Sequence, residues 1–93
     1  MVKKRAARLF LISGRVQGVG YRAFAVNAAR GIGVVGWARN LADGRVEVHA
    51  IGTAEQLEEL EACLRSGPRF ADVQSVEVSE APASGMREFS IRS

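Results

Sequence analysis

An α+β domain of the ferredoxin-like, split βαβ kind is predicted for this 93-residue chain. Three observations predict it. Short apolar runs alternate with two amphipathic helical patterns in the order strand, helix, strand, strand, helix, strand. The second and third strands are joined by Ala42-Asp43-Gly44, a hairpin turn signal, so they run antiparallel. A short alternating segment, Phe89-Ser90-Ile91, then adds a last strand at an edge. The expected architecture is one antiparallel sheet with both helices on one face and the other face largely wet.

Ala7 to Ser13 is nearly continuous in apolar residues, as a central strand requires. In the first helix, Tyr21, Phe24, Ala25 and Ala28 fall at i, i+3, i+4 and i+7 and make one apolar face. That face predicts a half-buried Tyr21. Gly31 is the expected C′ residue of this helix, with Ile32 as the apolar contact after it. Val34 to Leu41 reads as the second strand and Val46 to Ala50 as the third, ended by Gly52. Glu47 and His49 alternate outward on that third strand, so His49 is expected at the surface. Thr53-Ala54-Glu55-Gln56 is a capping box that opens the second helix. Leu57, Leu60 and Leu64 form its buried stripe, with Cys63 expected to pack beside them, and Gly67-Pro68 stops it. Val73 to Val78 marks a fourth strand, and Pro82 to Gly85 a loop.

The bounds on function are firm. Residues 1–93 make one small domain with ordinary apolar content, 47%, and charged content, 25%. The lone cysteine, Cys63, has no internal disulfide partner, and one histidine excludes a multi-histidine metal site. No apolar stretch approaches the roughly 20 residues a membrane span needs. The basic start, Met1 to Arg5, is not followed by a secretory leader pattern. A cytoplasmic monomer with no membrane partner is expected. Charge is uneven. Residues 1–42 carry Lys3, Lys4, Arg5, Arg8, Arg15, Arg22, Arg30 and Arg39 and no acid, whereas all ten acids follow. The basic half thus favours an anionic ligand.

That half also holds Gly14-Arg15-Val16-Gln17-Gly18-Val19-Gly20-Tyr21-Arg22, between the first strand and the first helix. Glycines allow a tight loop whose backbone N–H groups converge. The helix start adds free N–H groups and a partial positive charge. Arg22 brings a guanidinium fork into the first turn, where the helix dipole opposes a cation. The loop reads as a cradle for a phosphate-sized anion. It lacks the Gly-Lys-Ser/Thr end of a Walker loop. Gly18-Val19-Gly20-Tyr21-Arg22-Ala23 imitates a dinucleotide fingerprint, with Asp43 at the ribose-binding distance. But Asp43 serves the hairpin, the next strand is antiparallel, and the chain is too short for two mononucleotide halves.

The loop motif closely resembles the signature of the acylphosphatases, as does Gly36-Trp37-Ala38-Arg39-Asn40 followed by Asp43-Gly44-Arg45-Val46-Glu47. The resemblance runs from about Ala6 to Arg92. It implies hydrolysis of small acyl phosphates to carboxylate and inorganic phosphate, without metal or other cofactor. It makes Arg15, Val16, Gln17, Gly18, Val19, Gly20, Tyr21 and Arg22 the phosphate-binding loop. It makes Arg22 the phosphate-binding catalytic residue and Asn40 the residue that positions the attacking water. Leu41 stands where members often have Thr, so a supporting hydroxyl is absent. Gly20 stands where many have an aromatic, which predicts a looser loop but the same reaction.

Rival readings are weaker. Ferredoxin-like order and a pI of about 9.8 also suit an RNA-binding domain. The RNP1 pattern is absent, however, and Arg45, Glu47 and His49 occupy the third strand in place of stacking aromatics, so no nucleic-acid partner is expected. A carrier or regulatory domain on the same fold is a third possibility. Trp37 reads as a brace for the strand bearing Asn40, and Arg15 and Arg39 as contributors to the local field.

Overall fold

The computed structural model describes residues 4–82 and 88–92. Its elements are β1 (Arg5–Arg15), α1 (Tyr21–Ile32), β2 (Val35–Asn40), β3 (Val46–Thr53), α2 (Ala54–Ser66), β4 (Asp72–Glu80) and β5 (Phe89–Arg92). The strands form one five-stranded sheet in the order β4-β1-β3-β2-β5. The expected βαββαβ order with a short edge strand is what the chain adopts. The expected loop at Pro82–Gly85 lies outside the described residues beyond Pro82, as does Lys3 of the basic start.

Alternation decides which residues face the helices. Phe10 and Ile12 of β1 pair with Val48 and Val46 of β3, so all four share one face. Against them pack Ala25, Val26 and Ala29 of α1 and Leu57, Leu60 and Leu64 of α2, all buried. Each fully buried large aliphatic side chain contributes about 1.5–3 kcal/mol. The stripe of α2 is as its periodicity predicts, but Cys63 sits beside it only half-buried.

Several further details differ from expectation. First, the sheet is mixed, because β5 runs parallel to β2. The pairs Arg8↔Glu80 and Gly36↔Phe89 show why. The chain leaves β4 and joins β5 at the same end of the sheet, so β5 takes the direction of β2. Second, α1 continues through Gly31 and is closed by Gly33, whose N–H bonds the Ala29 carbonyl at 2.9 Å. Third, Gly52 does not end β3. The strand runs to Thr53, whose side chain caps α2 in the predicted box with Gln56.

Fourth, the face away from the helices is not uniformly wet. His49 does point there, but it is buried, with its ring stacked on Trp37 at 5.5 Å between centroids. Its Nε2 lies 3.3 Å from the Pro82 carbonyl, so the segment leaving β4 covers it. Alternation gives the face correctly; the crossing backbone removes the water. Tyr21 is likewise fully buried, not half-buried.

This frame sets where a site can form. Arg15, Asn40 and Arg92 end three strands at one end of the sheet, and Val46 and Asp72 begin the other two there. The loop before α1 lies at that end. A bulge between Ser13 and Gly14 redirects β1 into the loop. Gly14 has φ +123°, and a Cβ there would stand 2.1 Å from the Asp72 carbonyl oxygen. Only glycine allows β1 and β4 to approach this closely.

Candidate active site

Val16, Gly18, Gly20, Tyr21, Arg22, Ala23, Asn40 and Ile91 line a cleft of about 190 Å³. It is smaller than the usual cleft for a drug-sized ligand or cofactor, roughly 300–1,000 Å³. The loop and Asn40, 18 residues apart from Arg22 in sequence, therefore meet in one place.

The two helix starts are built differently. The N-terminus of α2 is closed by its own side chains: Thr53 accepts from the Gln56 N–H, Gln56 accepts from the Thr53 N–H, and Glu55 adds negative charge. The N-terminus of α1 has no acidic residue in its first turn and no side-chain cap. Its cap is Gly20 in the left-handed region, φ 78°, whose carbonyl accepts the Phe24 N–H at 3.0 Å. That leaves the N–H groups of Tyr21, Arg22 and Ala23 as donors without helical acceptors. Together with the helix dipole they make a positive pole facing the cleft. At Gly20 the positive φ is one that glycine adopts without strain.

The eight loop residues divide by what their side chains do. Val16 and Tyr21 are buried at 1% exposure each, so their side chains serve the core. The Tyr21 hydroxyl donates to the Leu64 carbonyl at 2.6 Å. Burial, and then the neighbouring Cys63, push its pKa far above the usual phenol value, so it remains a donor. Gln17 turns away to the β2–β3 connection, where its Nε2 donates to the Leu41 and Arg45 carbonyls. Val19 packs against the core. Arg15 is exposed at the end of β1, and it does not line the cleft. Arg22 does, with its Nη1 3.5 Å from the Arg92 carbonyl on β5.

Arg39, expected to add to the local field, faces the other side of the sheet. It pairs with Glu47 and stacks 5.1 Å from the Trp37 ring centroid, with Arg92 5.2 Å from the same ring. Trp37 is thus packed among His49, Arg39 and Arg92 on the strand that ends in Asn40. Asp43 is exposed in the turn, accepting from the Arg45 N–H at 3.1 Å and its Nε at 2.8 Å. The Arg45 backbone N–H above all, then its guanidinium, lower the Asp43 pKa. These are the bonds of a hairpin residue and not of a ribose ligand. Ile91 was not singled out from sequence; its position opposite Ala38 on β2 makes it a wall of the cleft.

A glycine loop leading into a helix start without a side-chain cap, on a ferredoxin-like frame, suits a domain that binds small anions. Comparison with known proteins narrows this. The acylphosphatase family model matches residues 8–91. An acylphosphatase of Solibacter usitatus is 50% identical over 91 residues, covering 98% of this chain and 95% of that protein. One from Thermus thermophilus is 51% identical over 81 residues, covering 87% and 92%. The crystal structure of the Bacillus subtilis acylphosphatase superposes with a TM-score of 0.92 at 33% identity, covering 97% of this chain and all of that one. The chain belongs to the acylphosphatase family, and hydrolysis of acyl phosphates follows from that membership.

Proposed function

We propose that the cleft hydrolyses small acyl phosphates by attack of water on phosphorus. The loop N–H groups and Arg22 hold the phosphoryl group, and Asn40 holds the water. The observation that carries this is the meeting of Arg22, the open start of α1 and Asn40 in one phosphate-sized cleft.

The chemistry asks for little more. The water oxygen bonds to phosphorus as the bond from phosphorus to the acyl oxygen breaks, and the electron pair leaves with the carboxylate. A carboxylate has a conjugate acid of pKa about 4, so it departs without a general acid. Phosphoryl transfer needs positioning and charge stabilisation on the equatorial oxygens, which N–H groups and a guanidinium supply. Asn40 can accept a hydrogen bond from the water and donate one to its oxygen, but an amide is too poor a base to take the proton. Arg22 stays protonated. The water's proton therefore passes to a phosphoryl oxygen of the substrate itself. No metal is assigned, because the residues lining the cleft carry no carboxylate, imidazole or thiol to hold one.

We also propose that the protein works as a monomer in the cytoplasm. Among the described residues, the large apolar residues left exposed, Phe70, Val78 and Ile91, are distributed over separate segments of the chain. Among the described residues no helix is long and apolar enough to cross a membrane. Sedimentation at working concentration tests the monomer.

The activity test is hydrolysis of benzoyl phosphate with a chelator present, in wild type, Arg22→Ala and Asn40→Ala. Turnover that survives the chelator and falls at least about 100-fold in both folded variants supports the roles. Full turnover in either variant removes that residue from the mechanism.

A further inference from the structure

The side chain of Gln17 leaves the loop and crosses to the β2–β3 connection. Its Nε2 donates to the Leu41 carbonyl at 2.8 Å and to the Arg45 carbonyl at 3.0 Å. Each carbonyl already accepts one backbone N–H: Leu41 from Gly44 at 3.2 Å, Arg45 from Leu41 at 2.8 Å. Both N–H groups of the amide are in use, and both lone pairs of each carbonyl. The node is saturated and spans 24 and 28 residues of sequence.

Its place in the fold gives it a use. Gln17 directly precedes Gly18, which lines the cleft, and Leu41 directly follows Asn40. One amide therefore joins the segment that cradles phosphate to the segment that bears the water-holding residue. We propose that Gln17 is a positioning residue for hydrolysis, a strut that sets the distance between the phosphate cradle and Asn40. This rests on the roles given above to the loop and to Asn40. The position calls for a glutamine: methionine has the length without the donors, and glutamate would set carboxylate oxygens against two carbonyls beside an anion site. The bond reaches Leu41 through its backbone carbonyl and does not depend on the side chain there.

An attacking atom displaced by about 1 Å can cost a factor of about 100 in rate. Gln17→Met is therefore expected to lower kcat for benzoyl phosphate roughly 10- to 100-fold. The inhibition constant for inorganic phosphate should stay within about twofold, because the loop N–H groups and Arg22 remain. A double-mutant cycle gives the sharper readout. A strut that acts through Asn40 costs nothing further once Asn40 is alanine, so Gln17→Met in the Asn40→Ala background should leave kcat within about twofold of Asn40→Ala alone. Gln17→Asn keeps an amide but is too short to reach both carbonyls. It should shift kcat in the same direction by less, and it carries the test if the methionine variant does not fold.

Three results would overturn the strut: unchanged kcat in the folded Gln17 variants, an equal loss with and without Asn40, or a tenfold weaker phosphate inhibition at wild-type kcat. Wild-type turnover in Asn40→Ala alone would instead remove the role of Asn40, and the strut with it. That outcome is distinct from a normal loss in Asn40→Ala accompanied by none in Gln17→Met, which overturns the strut alone.

Discussion

Tyr21→Phe removes one oxygen atom from the core, and its cost can be worked from the contacts. Leu64 lies in the last turn of α2, where carbonyls have no partner within the helix. The neighbouring Cys63 carbonyl is satisfied by the Gly67 N–H at 2.9 Å. The Leu64 carbonyl takes the Tyr21 hydroxyl instead, at 2.6 Å, in a site where Tyr21 is 1% exposed. Phenylalanine leaves that carbonyl buried and unpaired, which costs about 1–3 kcal/mol. For a domain of this size, a loss of about 2 kcal/mol lowers Tm by roughly 10 °C. Burial also raises the phenol's pKa in the folded state. A raised folded value makes the stabilisation complete below the unfolded pKa of about 10 and lost as pH rises above it. At pH 11 the wild type should therefore lose about 1 kcal/mol more than the variant does, relative to pH 7. Urea unfolding of both proteins at pH 7 and pH 11 measures this. Equal midpoints at pH 7, or a wild-type excess that persists undiminished at pH 11, would refute the reasoning.

Gly14→Ala should be strongly destabilising. Its Cβ would meet the Asp72 carbonyl oxygen at 2.1 Å and the Gln74 nitrogen at 2.8 Å, both backbone atoms that cannot swing away. A loss of at least about 3 kcal/mol is expected, read as insoluble protein or a collapsed urea midpoint. The pH dependence of kcat/KM should show no side-chain pKa between pH 6 and 8, because the cleft holds no group of that kind. His49 is buried against Trp37 on the far face, so His49→Gln should leave the profile's shape unaltered while lowering stability. A pKa that disappears in His49→Gln would contradict this.

Much of this could be read in the sequence because local chemistry and tertiary packing agree. The Thr53/Gln56 box, the leucine stripe of α2 and the Asp43-Gly44 turn each specify their own structure within a few residues. Arg22 and Asn40 were legible as a pair through a resemblance spanning two motifs, although only the fold brings them to one cleft. What escaped is long-range. Gln17 bonds carbonyls 24 and 28 residues away, and backbone acceptors leave no trace in side-chain patterns. The burial of His49 depends on where the chain crosses after β4, which strand alternation does not encode. α1 runs past Gly31 because a second glycine two residues on, Gly33, takes the left-handed cap position at φ 100° and bonds the Ala29 carbonyl, and the sequence offers both glycines. The parallel direction of β5 is set by which end of the sheet the chain leaves, and a four-residue strand carries no sign of its own direction.

The central claim is that water attacks phosphorus, not the acyl carbon. Hydrolysis of benzoyl phosphate in water enriched in oxygen-18, followed by mass analysis of both products, tests it in one experiment. If the loop and Arg22 hold the phosphoryl group while Asn40 delivers the water, the label enters inorganic phosphate and the benzoate stays unlabelled. Label in the benzoate would mean attack at the carbonyl carbon, and the assigned roles of the cradle and of Asn40 would both be wrong.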